Sequence, residues 1–289
     1  MNFNIIFLIQ IVVTILFAVY AAISDVKRHY IPEKIIYLMI AFGLISNLFL
    51  SLITANIKYI LASVILMCVT FLISYLLWEL SMWGGGDVKL FTGIATVIPI
   101  GINIDYLNIF PQLSIYPFIF SVIVNSILVS FPFLLIFMVN AIIKNRVIEK
   151  NIHLFVNMFN IENLRLIIKL TLNKDIEIRD LREGNIVNEY YFNDEKVIQL
   201  LNENEGNLKV YQTVGDDEFK YYFKSVSAGG ITKKEMYQLK IMNAQGILKR
   251  KISVKLAYPF APSIFAGLII ALFFGDIMVI FSKSIVMVL

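Results

Sequence analysis

Two aspartates stand out because each lies beside a long uncharged stretch of the chain. Asp25 follows the uncharged residues 1–24, and Asp87 precedes the uncharged residues 90–104. Acidic side chains beside apolar segments are costly, and they usually serve a function. Two carboxylates held close together cannot both ionise, so they share one proton. One member can then take a proton from water while the other polarises a carbonyl group, which is the chemistry of an aspartic peptidase.

Each aspartate also has a simpler interpretation. Asp25 could mark a solvated helix end, and Asp87 could cap a helix. Three glycines, Gly84, Gly85 and Gly86, directly precede Asp87. Such a run gives up backbone entropy, and its use is close approach of the backbone to a substrate strand. The combination favours a catalytic pair over two separate structural residues.

Lysines follow both aspartates at the same spacing, Lys27 after Asp25 and Lys89 after Asp87. They could hold one carboxylate ionised, or they could only anchor helix ends at the membrane surface. The sequence leaves both interpretations open. Glu33 could attract a basic substrate or simply balance a neighbouring lysine.

The composition places much of the chain in a lipid bilayer. Of its 289 residues, 58% are hydrophobic and only 16% are charged, whereas soluble domains carry about 25% charged residues. The single cysteine, Cys68, excludes an internal disulfide framework and a cysteine-rich zinc site; its apolar neighbours predict a buried thiol. We expect no cofactor and no metal. No basic stripe interleaved with aromatic residues suggests nucleic-acid binding.

Hydropathy predicts six membrane spans, since about 20 apolar residues cross the hydrocarbon core. The fourth is short or broken, because Gly93, Pro99 and Gly101 interrupt it. Trp83 is predicted to anchor the interface, and Asp276 to mark the exit of the last span. The six predicted spans are 1–24, 35–57, 59–78, 90–104, 118–143 and 256–275.

Lysine and arginine placement predicts the orientation of these spans. Lys27, Arg28, Lys34 and Lys89 lie in loops of one side, whereas the other side has only Lys58 and Lys283 in its loops and tail. Positive charge marks cytoplasmic loops. We therefore expect both aspartates on the cytoplasmic side and both termini outside.

A polar insert separates the last two spans. Residues 144–255 hold 19 of the 25 basic and 15 of the 21 acidic residues. The pattern predicts a helix near the membrane over 151–172, then a hairpin that pairs 176–179 with 186–192 around the turn at 182–185. Further predicted elements are helices over 194–202 and 232–245 and strands over 208–212 and 219–225. Residues 144–255 are enough for a small α+β domain, which we expect to dock on anionic lipid.

The motifs resemble a known family. Ser24-Asp25-Val26-Lys27-Arg28 with Ile31-Pro32, followed by Gly84-Gly85-Gly86-Asp87-Val88-Lys89, is similar to the type IV prepilin and archaeal preflagellin peptidases, which are GxGD aspartyl proteases of the membrane. Pro259-Phe260-Ala261-Pro262-Ser263 also resembles the last-helix motif of that family.

The resemblance implies a fold, an activity and a substrate class. It implies a polytopic helical membrane bundle with Asp25 and Asp87 as catalytic residues. It also implies partners that are pilin- or flagellin-like precursors, from which a short basic leader is removed at the cytoplasmic face. Bacterial relatives carry an N-terminal domain with paired CxxC motifs and methylate the product; this chain begins with a predicted span, so we expect no methyltransferase.

Two other classes of function compete with a peptidase. A proton- or ion-coupled transporter could use the same two aspartates, but transporters usually show inverted repeats and midplane carboxylates. A silent scaffold would not need the GGGD run. We predict a mainly α membrane bundle with a membrane domain over 1–143, a cytoplasmic insert over 144–255 and a last span with a tail over 256–289.

Overall fold

The computed structural model describes residues 3–28, 30–80, 83–100, 116–144, 153, 160–202, 206–213, 218–226, 229–256 and 258–288. Two compact units divide the chain. The membrane unit comprises Met1–Phe133 and Pro259–Leu289, and the insert unit comprises Leu134–Tyr258.

Helices build the membrane unit. Four long helices are separated by short connections or by segments outside the described residues, and three shorter helices complete the set. The long helices are α1 (Phe3–Arg28), α2 (Glu33–Thr54), α3 (Lys58–Glu79) and α5 (Phe118–Lys144), the last of which continues into the insert unit. The shorter helices are α4 (Gly85–Val97), α9 (Ala261–Phe273) and α10 (Ile277–Val288).

Four helices are long and apolar enough to cross a membrane, with 22 to 27 residues each. These correspond to the first, second, third and fifth predicted spans. The structure does not confirm six spans. Helix α4 has 13 residues and α9 has 13, and at 1.5 Å per residue each measures about 20 Å against a hydrocarbon core of about 30 Å.

The distribution of polar and apolar side chains in the membrane unit is the reverse of that in a soluble protein. Large apolar side chains point outward from the long helices, among them Leu16 at 63% exposure and Leu52 at 71%. Polar side chains such as Gln10 and Thr70 lie buried. Cys68 is exposed on α3, so the prediction of a buried thiol was wrong. Helices in lipid turn apolar groups outward and keep polar groups between them.

Helix α4 is seated against α2 and α3 by close contacts and by polar caps at its C-terminal end. A Cβ on Gly43 would lie 2.8 Å from the backbone carbon of Thr96, so α2 approaches α4 more closely than any side chain would permit. The Asn47 amide donates to the carbonyls of Thr96 (3.0 Å) and Val97 (3.2 Å), and the Ser63 hydroxyl donates to that of Thr96 (2.7 Å). These bonds supply partners to carbonyls that a helix end leaves unpaired.

A second polar cluster joins α5 to the turn between α9 and α10. The Asn125 side chain donates to the carbonyl of Gly275 (2.8 Å) and accepts from the N–H of Ile277 (3.0 Å). Asp276 is fully buried and accepts from the N–H of Met278 (2.8 Å). Asp276 therefore begins a further helix, α10, which the sequence interpretation missed when it treated this residue as a span exit.

The insert unit contains two small antiparallel sheets. One sheet has the order β1-β6-β2 and the other β3-β5-β4. The strands are β1 (Asn173–Glu177), β2 (Ile186–Val187), β3 (Tyr190–Phe192), β4 (Leu208–Gln212), β5 (Tyr221–Ser225) and β6 (Lys251–Lys255). The predicted hairpin was wrong, because β1 and β2 both pair with β6 and not with each other.

Three further helices of the insert unit have bounds within the described residues: α6 (Ile161–Leu172), α7 (Glu195–Asn202) and α8 (Lys233–Ala244). Of the predicted 151–172 helix, the described residues place His153 in a helix and begin α6 at Ile161, with Asn160 as its cap. At the start of α8, Thr232 accepts from the N–H of Glu235 while Glu235 accepts from that of Thr232, which is the predicted capping box. Phe223 and Leu239 lie in the apolar core of this unit.

Candidate active site

Asp25 lies in the last turn of α1, and its side chain is half-buried. Its Oδ2 accepts a hydrogen bond of 3.1 Å from the backbone N–H of Ala261. Ala261 is the first residue of α9, where N–H groups lack partners within the helix. Because the next residue, Pro262, has no N–H, Ala261 is a natural donor at this end. The positive end of the α9 dipole therefore faces the Asp25 carboxylate.

Asp87 lies in the first turn of α4 and is only 9% exposed. Its Oδ2 accepts from the N–H of Gly84 at 3.1 Å, which is half of a capping box, since glycine has no side chain to supply the other half. A Cβ at Gly84 would lie 3.0 Å from that same Oδ2. Glycine at 84 thus leaves the room in which the Asp87 carboxylate sits.

The two aspartates come together where α1, α4 and α9 meet. Asp25 lies close enough to Asp87 for their charges to interact. Each carboxylate also lies at the N-terminal end of a helix, Asp87 at α4 and Asp25 at α9. Helix N-termini favour negative charge, so each helix end stabilises the ionised form of the carboxylate beside it.

The connection between α1 and α2 packs directly on the glycine run. The Ser24 hydroxyl donates to the carbonyl of Tyr30 at 2.8 Å, which fixes the connection. Ile31 is buried, and its Cδ1 would lie 3.1 Å from a Cβ on Gly86. The segment from Ser24 to Pro32 is therefore in contact with the glycine run that precedes Asp87.

The two lysines lie near the ends of the helices that carry the aspartates, Lys27 in the last turn of α1 and Lys89 near the start of α4. Lys27 is exposed and two residues beyond Asp25, roughly 200° around the helix. Lys89 forms an ion pair with Glu33 at the start of α2. The ion pair of Lys89 links α4 to α2.

An aromatic cluster supports the site. Trp83 is buried and stacks on Phe91 of α4 with ring centres 4.8 Å apart, and Phe260 lies 6.1 Å from Trp83. Trp83 is therefore a core residue, and its prediction as an interface anchor was wrong. Trp78 is next to the glycine run, with its Nε1 3.6 Å from where a Cβ on Gly85 would lie.

The sequence interpretation identified both carboxylates but missed the backbone donor at Ala261. The signal for it was present in the Phe-Ala-Pro run, because proline at the second helical position is typical of a helix start. The distance of 236 residues between Asp25 and Ala261 hid their contact.

Fold and site together define a class of protein. The chain is a helical membrane protein whose unit of apolar spans holds two neighbouring carboxylates. Within the described residues, no group of three histidine, cysteine or acidic side chains could hold a metal ion. Paired carboxylates of this kind can activate water and polarise a carbonyl, the chemistry of an aspartic peptidase.

Comparisons with known proteins name the family. Residues 12–143, which include both aspartates, match the type IV leader peptidase family. Prepilin peptidase EppA of Methanothermobacter thermautotrophicus is 24% identical over 94% of this chain and 96% of its own length. The preflagellin peptidase of Methanocaldococcus jannaschii is 35% identical over 27% of this chain and 33% of its own length. The resemblance is confirmed, and these matches support a peptidase of this type.

Proposed function

We propose that this protein removes a short basic leader from prepilin- or preflagellin-like precursors at the cytoplasmic face of the membrane, with Asp25 and Asp87 as its catalytic pair. The observation that carries the proposal is the convergence of these two carboxylates within the segment that matches the leader peptidase family. Relatives named as prepilin and preflagellin peptidases support the substrate class.

The proposed reaction uses the pair as one unit. The ionised carboxylate takes a proton from water, whose oxygen attacks the scissile carbonyl carbon. The protonated carboxylate donates its proton toward the carbonyl oxygen, and a proton then passes to the leaving amine as the peptide bond breaks. Gly84, Gly85 and Gly86 present backbone without side chains beside Asp87, which suits an extended substrate segment.

Charge placement supports a six-crossing topology with the site facing the cytoplasm. Helices α4 and α9 would form the two short crossings, and the remaining crossings would be the four long helices. A reporter fused at Asn204 should then read cytoplasm, and one fused at Leu289 should read the exterior. An exterior reading at Asn204 would put the carboxylates on the wrong side for a leader peptidase.

The insert is proposed to select precursors, because both aspartates lie outside it and a shorter linker could join its neighbours. Replacing residues 161–250 by a Gly/Ser linker should leave the pair assembled but reduce discrimination between a cognate precursor and one with a mismatched leader. Unchanged cleavage rates and unchanged discrimination would show that the insert takes no part in selecting precursors. Complete loss of cleavage in a folded protein would assign it a part in building the site.

The direct test uses membranes that contain the protein, mixed separately with a pilin-type and a flagellin-type precursor. We expect one of them to lose its leader, seen by mass spectrometry as an N-terminal truncation. Membranes with Asp25→Asn protein are the control and should leave both precursors intact. If the unaltered protein is folded and cleaves neither precursor, the proposal fails.

A further inference from the structure

Helix α6 exposes apolar side chains where a soluble domain would carry polar ones. Ile161 is 79% exposed, and Leu166, Ile168 and Leu170 are each at least 40% exposed. On the opposite side, Ile167 and Thr171 are buried. The exposed half therefore has no covering partner among the described residues, although α6 is held firmly in its own unit.

Two cations lie within this exposed half, beside the first-turn carboxylate of Glu162. Arg165 and Lys169 are four residues apart, so they share one face of the helix, and both are exposed. Ile161 and Ile168 border them on one side, and Leu166 and Leu170 on the other. A helix that presents apolar strips beside basic side chains suits the boundary between lipid headgroups and acyl chains, because long basic side chains can reach the phosphates while their stems stay in apolar surroundings.

The chain connects both ends of α6 closely to membrane helices. Residues 145–160 lead to it from α5. At its other end, the carbonyl of Leu172 accepts from the N–H of Leu256 at 2.7 Å, directly after β1 pairs with β6. Leu256 precedes Ala261 by five residues, a stretch that measures at most about 18 Å when fully extended.

We propose that α6 is an in-plane membrane anchor, whose exposed apolar strips enter the headgroup–acyl boundary while Arg165 and Lys169 bind anionic lipid phosphates. The anchor fixes strand β1 near the membrane, and β1 pairs with β6, which ends six residues before Ala261, whose N–H binds Asp25. This assignment concerns a lipid surface and needs no substrate, so it stands or falls separately from the peptidase activity.

The test places one spin label at a time in the full-length protein, with one copy per lipid nanodisc so that a second copy cannot cover the helix. Native Cys68 on α3 gives the lipid reference, since it is the single cysteine and lies exposed on a span. In a Cys68→Ser background, Ile168→Cys reports on α6. Ile241→Cys, at 56% exposure on α8, is the matched control on another helix of the same unit.

The label at 168 should collide readily with oxygen and poorly with a water-soluble nickel chelate, as the Cys68 label does, whereas the label at 241 should show the reverse. Leu170→Cys gives a second reading if Ile168→Cys fails to fold. A label at 168 that behaves like the one at 241 overturns the proposal. Protection from both reagents also overturns it, because that result means burial against protein.

Lipid charge provides the second arm. The ratio of oxygen collisions to nickel-chelate collisions at 168 should rise when phosphatidylglycerol replaces part of the phosphatidylcholine. Arg165→Gln with Lys169→Gln should abolish this dependence on lipid charge. Lys233→Gln with Lys234→Gln, on α8, is the matched charge control and should leave it intact. Equal effects of the two double variants would show that overall charge, and not α6, responds to lipid, which contradicts the proposal.

Discussion

Asp87 and Asp276 are both buried carboxylates at the start of a helix in the membrane unit, yet their surroundings differ. Asp87 binds the N–H of Gly84 and has a second carboxylate, Asp25, beside it. Asp276 binds the N–H of Met278 in a turn that the Asn125 amide holds. Burial and capping are thus common to both residues. The neighbouring carboxylate distinguishes Asp87 from Asp276, and it is the feature on which the proposed peptidase site depends.

The largest expected effect separates these two aspartates directly. Asp87→Asn should reduce precursor cleavage by about 10³-fold or more, because asparagine can keep the bond from Gly84 but cannot take part in proton transfer. Asp276→Asn should leave cleavage within a few-fold, since asparagine is also a good helix cap. Cleavage rates in membranes with matched amounts of folded protein measure both. Equal losses of cleavage in the two variants would contradict the proposed difference between Asp87 and Asp276.

The pH dependence of cleavage sharpens the same comparison. Cleavage should decline on the acid side, where both members of the pair are protonated, and on the basic side, where the shared proton is lost. The limbs belong to the pair, so Asp276→Asn should retain the same profile. Flat activity across several pH units would assign the chemistry to some other group.

Glycine substitutions test the room beside Asp87 and should have an intermediate effect. Gly84→Ala puts a Cβ 3.0 Å from the Asp87 Oδ2 and should lower kcat by about 10- to 100-fold through misplacement of the carboxylate. Gly85→Ala is the matched control, because its Cβ would make an ordinary 3.6 Å contact with Trp78. Its kcat should remain within a few-fold. A larger loss of kcat at Gly85 than at Gly84 would contradict this account of the run.

The smallest effect is expected at the exposed ion pair of Glu33 and Lys89. Their side chains are 48% and 37% exposed, and such pairs contribute about 0–1 kcal/mol. Glu33→Gln should therefore change thermal unfolding in detergent only slightly and leave cleavage nearly unaltered. Lys89→Gln should likewise have only a small effect on thermal unfolding and on cleavage. A loss at Glu33 comparable with that at Asp87 would place this acid in the catalytic machinery.

Hydropathy and motif spacing predicted the parts of the molecule that depend on local sequence. The four long helices follow from uninterrupted apolar stretches, and Asp25 and Asp87 follow from charge at the ends of such stretches. The capping box at Thr232 and Glu235 was likewise readable because its partners are three residues apart.

Features that depend on distant partners could not be predicted in the same way. Strand β6 is five residues long and pairs with β1 and β2 from far along the chain, so the sequence suggested a local hairpin instead. Helix α10 begins at Ile277, directly after Asp276, and Asn125, on another helix, binds both the turn before it and its first N–H. Ala261 reaches Asp25 only through the packing of α9 on α1.

The most direct test of the central claim compares Asp25→Asn, Asp87→Asn and the double variant in one cleavage assay. Residues that act as a unit show losses that do not add. If the two carboxylates share one proton in one reaction, all three variants should fall to the same residual rate, with the protein still folded in the membrane. A double variant whose loss is the product of the two single losses, or near-normal turnover by either single variant, would contradict the assignment.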